Sequence, residues 1–457
     1  INGNDFLGTT SVKIGGVEAR SFTIVSATQI TAIVPANATL NTNVSITNPD
    51  ATNIAPGFTF SCVSNALNFD GVDDYVQIGA QLPFTTSGNF TIEAWVKPTL
   101  VDNQYHGFFG MQGVTRAPSM WVGPNGSLHT DSYGGTTRYD MLVDNFFTAN
   151  KWTHVAWVKN GTTYTVYKNG VQIATRTAPA DVVLPSANFW IGKVDNFFGG
   201  AIDEVRVWNT AKTAQEITAN LGLEYNGNET GLAAYYNFNQ GTAAGSNTSI
   251  TTLNNLTTGS NLNGTLTNMA RTGSTSNFVI GVGPVIITQP VASLSLCNNV
   301  NSGNTLTVNA VGQNIAYQWY SNTTNSNTGG TLLTGATSAT YTITTATAGT
   351  TYYYVVVSST CNSVTETSTV STVTVAAAVA GTAPIANRTL CSGSVSPIVT
   401  FRPQGNAGYQ WMTLNSVTSS AATGVGQNGI TVSITHSAGG MVANTGMYSP
   451  STFPAEY

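Results

Sequence analysis

The chain has 457 residues, of which 41% are hydrophobic and only 8% charged, with a formal net charge of −5. An average soluble protein carries about 25% charged residues, so the polar surface must come from Thr, Asn, Ser and Gly, while the apolar and aromatic content excludes a disordered chain. The lack of a basic patch argues against nucleic acid, and no apolar run reaches the ~18 residues needed to span a bilayer.

A chain of this length holds about three or four domains. Residues 1–62 read as short strands: Ser11–Ile14, Ser21–Val25, Gln29–Val34, Val44–Ile46 and Phe58–Phe60, separated by Gly-Gly, Pro and Asn-Pro-Asp. The start, Ile1-Asn2-Gly3-Asn4-Asp5, has neither the charged end nor the apolar centre of a signal peptide.

Residues 64–283 are almost entirely strand-like. Leu67, Phe69, Val76 and Ile78 alternate with polar residues, the period of a half-buried strand. Between them lies the acid-rich turn Asp70-Gly71-Val72-Asp73-Asp74. Ile202, Val205, Val207 and Trp208 flank Asp203-Glu204 in a second such stretch. The one helix signal is Thr213-Ala214-Gln215-Glu216, a capping box predicting a short helix to about Leu221.

After a Gly-Val-Gly-Pro linker, residues 285–375 carry Cys297, the segment Tyr317-Gln318-Trp319 and Cys361. A Cys, a strand-borne Trp and a second Cys form the pattern of an immunoglobulin-like sandwich. This predicts a Cys297–Cys361 disulfide, with Cys62 free and Cys391 free or paired elsewhere. No Cys-x-x-Cys spacing suggests zinc, and sparse Cys in Thr/Asn-rich β modules suits an extracellular setting. An Ala-rich linker leads to residues 384–457, where Thr389-Leu390-Cys391 and Tyr409-Gln410-Trp411 repeat the preceding unit in diverged form.

Several of these segments match known families. The succession L-N-F-D-G-V-D-D-Y-V, F-T-I-E-A-W-V-K-P, W-T-H-V-A-W-V-K-N-G, Y-K-N-G-V and G-A-I-D-E-V-R-V-W resembles the laminin-G-like, concanavalin A-like jelly rolls of bacterial surface proteins. The pattern I-N-G-N-D-F-L-G-T-T-S-V-K-I-G-G-V-E-A followed by I-T-A-I-V-P resembles the IPT/TIG fold. In that family a further strand precedes the position of Ile1, and the last repeat stops short, so a longer natural chain is expected. The expected fold is all-β: tandem β-sandwich modules around a central jelly roll. The module order resembles the giant secreted adhesins of gliding Bacteroidota. That implies an extracellular, cell-surface location, with neighbouring modules and secretion or motility machinery among the partners.

The jelly-roll resemblance implies a structural Ca²⁺ joining the F-D-G-x-x-D turn to the I-D-E segment. Asp70, Asp73 and Asp203 are the expected ligands, with Asp74 a weaker candidate, since Ca²⁺ takes six to eight oxygens from carboxylates and carbonyls. The alternative is a plain hairpin turn, which Asp-Gly favours without metal. Tyr105, Trp121, His129, Tyr133, Arg138 and Tyr139, with the stretch Asp195-Asn196-Phe197-Phe198, form the candidate glycan-binding set. Sugars need aromatic surface beside planar hydrogen-bonding groups. The alternative is that these aromatics are core.

No catalytic pair emerges. A retaining glycosidase sets two acids about 5.5 Å apart. Glu93 is followed by Ala94, Trp95, Val96 and Lys97, while Asp203 and Glu204 are adjacent and, on a regular strand, face opposite ways. The expected function is therefore a non-enzymatic adhesin segment whose jelly roll binds glycan or surface polysaccharide. The alternatives are a spacer without a ligand and a glycoside hydrolase.

Overall fold

A computed structural model of the chain describes residues 1–377 except 20, 34–40, 60–63, 82–87, 112–117, 135–136, 179–187, 258–260, 298–303, 360 and 362, and also the strands Met412–Ser419 and Ile430–His436. The fold is all-β, a series of sandwich modules. Contacts divide the chain into two compact units, one of residues 1–288, 309–318 and 356–367 and one of the remainder.

The first module has a four-stranded antiparallel sheet in the order Val17–Glu18, Ser11–Ile14, Asn41–Thr47, Thr52–Thr59, and a hairpin of Ser21–Ser26 with Gln29–Ile33. Alternation sends Val12 and Ile14 inward, where they meet Phe6, Ile30 and Val44.

The jelly roll stacks two large sheets. One runs Thr137–Val143, Leu128–Gly134, Ser119–Val122, His106–Met111, Asn188–Ile191, Tyr75–Gln81, Gly264–Thr267, Thr252–Leu253. The other runs Val171–Thr177, Thr163–Lys168, Thr153–Asn160, Phe90–Pro98, Gly199–Trp208, Asn65–Asp70, Asn277–Ile280, with Leu232–Tyr236 also paired to Gly199–Trp208. Their inner faces close on one core containing Phe69, Val76, Ile78, Ile92, Trp157, Phe189 and Phe278. Phe90 meets Trp157 edge to face at 5.3 Å.

The second sheet is also covered on its outer face. The capping box forms as read, with Thr213 and Glu216 closing the start of helix Ala214–Asn220. Ile217 of that helix packs on Ala156, Val158 and Tyr167, and Leu221 on Trp95. This is why Phe90–Pro98 and Gly199–Trp208 are buried on both faces. The outer face of the first sheet is crossed by the loop at 192–198, and there the cleft described below opens.

In the immunoglobulin-like module the strands order as Ser293–Cys297, Ser371–Ala376, Gly349–Ser359, Ile315–Asn322, Thr331–Leu332. Trp319 is fully buried and donates its indole N–H to the Ser338 carbonyl at 2.9 Å. The expected Cys297–Cys361 bond does not fit this sheet. Cys297 pairs with Ala376, and Val375 pairs with Gly349. Cys297 thus lies beside the start of Gly349–Ser359, whereas Cys361 follows its far end. That strand spans on the order of 30 Å, and a disulfide tolerates a Cα separation of only about 7 Å. Cys361 is nevertheless disulfide-bonded. The side chains of Cys62, Cys297 and Cys391 lie outside the described residues, as does the repeat at 389–411. Met412–Ser419 and Ile430–His436 pair antiparallel.

Candidate glycan-binding cleft

Register brings the candidate residues together. Trp121 stands opposite His129, His129 opposite Leu142, Asp131 opposite Asp140, and Tyr133 opposite Arg138. Because side chains alternate along a strand, these positions share the outer face of the first sheet, while Met120, Val122, Leu128 and Met141 enter the core. Tyr139 falls on the inward register and packs partly buried against the core, so it is not a cleft residue. The side chain of Tyr133 lies outside the described residues.

The outer face forms a cleft of about 310 Å³ lined by Tyr105, Trp121, His129, Arg138, Asp140, Leu142, Asp195 and Asn196. Tyr105 is 39% exposed and Leu142 55%, whereas Trp121 is only 3% exposed. Trp121 stacks on His129 with centroids 5.0 Å apart, and Tyr105 meets the same imidazole edge-on at 5.3 Å.

Polar groups are fixed around these rings. Arg138 donates from Nε to Asp131 Oδ2 at 2.8 Å, and its Nη2 lies 2.9 Å from His129 Nε2. Asp140 Oδ2 is 3.6 Å from His129 Nε2, and its Oδ1 is 3.1 Å from Arg176 Nη1. Burial works against the charge of Asp140, but Arg138 and Arg176 outweigh it and hold its carboxyl below the usual value. From the loop, Asn196 Nδ2 donates to the Tyr105 carbonyl at 3.1 Å. The loop lies close to the sheet because Gly107 and Gly110 are bare: a Cβ on either would stand 2.5 Å from an atom of Val194. The result is an aromatic edge ringed by directional donors and acceptors.

The acids separate into two groups. Carboxylate oxygens of Asp70, Asp73 and Asp74 all lie within 4.8 Å of one another. Asp70 Oδ1 accepts from the Val72 and Asp73 amides, and the buried Asp74 accepts from the Asp70 amide and Ser276 Oγ. This set of hard oxygens in one turn fits a Ca²⁺ ion. Asp203 is not part of it. Asp70 pairs with Gly199, which places Asp203 four residues along the strand, roughly 13 Å away.

Asp203 instead belongs to a buried network on the covered face of the second sheet. It accepts from the Val282 and Glu204 amides at 3.0 and 2.8 Å. Glu204 has a positive φ of 53° where the register shifts between Asp203 and Arg206. The regular-strand argument that sends Asp203 and Glu204 to opposite faces therefore does not apply at this bulge. Glu204 accepts from Arg206 at 2.7 Å and from Tyr235 at 2.8 Å. Glu93 accepts from Trp208 at 2.8 Å and lies 3.4 Å from His154 and 3.7 Å from Arg206. Burial opposes the Glu93 charge, yet His154 and Arg206 lower its pKa to about 2. Burial raises Asp203 well above the carboxylate range, reinforced by Glu204, and raises Glu224 to about 8. Sequence reading missed this network because its members come from six separate segments, around Glu93, His154, Asp203–Trp208, Glu224, Tyr235 and Val282.

No curated protein matches the chain. Among solved structures, a Bacteroides ovatus protein provisionally named a carbohydrate binding protein is 21% identical, with a TM-score of 0.37 over 59% of this chain and 80% of that one. The CBM40 module of a Ruminococcus gnavus IT-sialidase is 16% identical, with a TM-score of 0.29 over 35% and 100%. Domain 4 of the extracellular arabinanase AbnA from Geobacillus stearothermophilus, solved with arabinotriose, is 21% identical, with a TM-score of 0.28 over 40% and 84%. Residues 70–218 match the family described as the concanavalin A-like lectin/glucanases superfamily, and residues 284–376 match the Ig-like domain described as CHU_C associated. The chain thus carries a concanavalin A-like domain and, after it, an Ig-like domain.

Proposed function

We propose that the jelly roll is a glycan-binding module and that the cleft over Trp121 and His129 is where it binds. The observation that supports this most directly is the convergence of Tyr105, His129, Arg138, Asp140 and Asn196 around one open cleft. An aromatic face covers the apolar side of a sugar, and fixed planar groups select its hydroxyls. The matched family includes lectins, which supports the same class of ligand. The family also includes glucanases, but the acids that could act catalytically, Glu93, Asp203 and Glu204, are buried and held by neighbours.

Around this module the reading extends to a cell-surface adhesin segment in which the Ig-like parts serve as a stalk. Low charge and a disulfide at Cys361 support an extracellular site. A role in gliding rests on resemblance alone. The turn of Asp70, Asp73 and Asp74 would hold a structural Ca²⁺. Among the described residues no helix is long and apolar enough to cross a membrane.

The test is polysaccharide pull-down and glycan-array binding with the full chain and with Tyr105→Ala. Retained glycans that are lost in the variant support the cleft. A folded protein that retains none leaves the spacer reading in its place.

A further inference from the structure

We infer that the same sheet face carries a second subsite, in which Lys193, held among Tyr75, Trp190 and Phe197, receives a carboxylate-bearing sugar of the same glycan. This rests on the glycan reading above and adds a charge class to the ligand.

Alternation explains the placement. In Tyr75–Gln81, Val76 and Ile78 point into the core, and in Asn188–Ile191, Phe189 and Ile191 do so. Tyr75 and Trp190 therefore stand on the outer face. Their rings meet edge to face at 6.2 Å, and Phe197 lies 6.2 Å from Tyr75. The Lys193 ammonium sits 4.5 Å from the Tyr75 ring, 5.0 Å from Trp190 and 4.6 Å from Phe197. All four residues are partly exposed.

Two features point to an anionic ligand. Among the described residues no carboxylate pairs with Lys193, whereas Arg138, Arg176, Arg206 and Lys212 of this domain each meet one. The three rings also hold the ammonium in one place, so little side-chain entropy remains to be lost when an anion arrives. The rings then offer stacking surface to the sugar that carries the anion.

The loop ties this subsite to the cleft. Lys193 bridges to Phe197 across the loop, while Asp195 and Asn196, between them, line the cleft. Trp121 pairs with Gly107 and Trp190 with Gly110 on the strand between them. The two aromatic sites are therefore on the order of 10–15 Å apart, a distance that one oligosaccharide spans.

The experiment measures affinity of the full chain for polygalacturonate and alginate against their methyl esters, by calorimetry. The expected result is a preference for the acid forms of at least about tenfold. Lys193→Met should abolish that preference while ester binding persists, and Lys193→Arg should keep it. Tyr105→Ala should weaken both forms. Equal binding of acid and ester forms, or a preference unchanged in Lys193→Met, overturns the second subsite and leaves the cleft standing. Failure of every one of these polymers to bind overturns this subsite, while the cleft itself stands or falls with the glycan array.

Discussion

Trp121 lies face to face on His129, 5.0 Å between centroids and 28° between planes, and both rings are almost closed to solvent. The indole is therefore the floor beneath the cleft, and the exposed Tyr105 is its working surface. Trp121→Ala is expected to destabilise the jelly roll by about 3–5 kcal/mol, as a buried aromatic does. Tyr105→Ala should leave the melting temperature nearly unchanged and reduce glycan retention. Thermal melting alongside pull-down separates the two; if Tyr105→Ala melts like Trp121→Ala, the division of roles is wrong.

Glu224 makes the domain pH-sensitive. Its half-buried carboxyl accepts from Asn239 Nδ2 at 2.6 Å and from Gln313, and is raised to about 8 by desolvation and by Glu204. A carboxyl raised on folding binds its proton more tightly in the native state. Its stabilising contribution is complete below the unfolded value near 4.5 and is lost as pH rises to 8. Asp203 and Glu204 are raised in the same direction. Stability should fall between pH 5 and 8 by up to a few kcal/mol, and Glu224→Gln should flatten that slope. Urea midpoints across this range check it. A slope that the substitution leaves intact would assign the effect to other groups.

Calcium should raise the melting temperature of the full chain and EDTA should reverse the rise. A metal that binds only the folded state stabilises by about 2.7 kcal/mol at a hundredfold excess over its dissociation constant. Asp70→Asn should remove the response and Asp203→Asn should not, since Asp203 stands apart from the turn. Identical melts with calcium and with EDTA sink the proposal.

A non-reducing peptide map should link Cys361 to Cys62 and not to Cys297. The geometry behind this lies on either side of the jelly-roll exit. Ser64 donates to the Val282 carbonyl at 3.3 Å, and Val364 stands so close to Gly283 that a Cβ there would lie 2.6 Å from it. Ser64 and Val364, two and three residues along the chain from Cys62 and Cys361, thus approach the same short segment. A Cys361–Cys391 peptide would be the contrary result.

What the sequence made legible follows the range of the forces involved. The strands, the turn acids and the Thr213 capping box are local patterns, and each appears at its place in the structure. Tyr105, Trp121, His129 and Arg138 could be grouped because they are close in sequence, and the last three also share hairpin registers. Tyr139 was misplaced by one step of the pleat, which is enough to turn a side chain into the core. The jelly-roll resemblance joins Asp203 to Asp70 through one calcium, but strand register separates them. The Lys193 site was not legible because Tyr75 and Trp190 meet only through sheet order. The cysteine pairing failed because Cys, Trp and Cys state a module type without stating which ends of its strands adjoin.

The first and last strands of the jelly roll are neighbours, Asn65 paired with Ile280 and Asn68 with Asn277. Both ends of the module therefore leave from one place. Tension applied through the chain would load this ladder one rung at a time from Asn65 onward, the direction in which a β pair yields most easily. A covalent tie from Cys361 to the segment before Ser64 would lie across that point and bear the pull first.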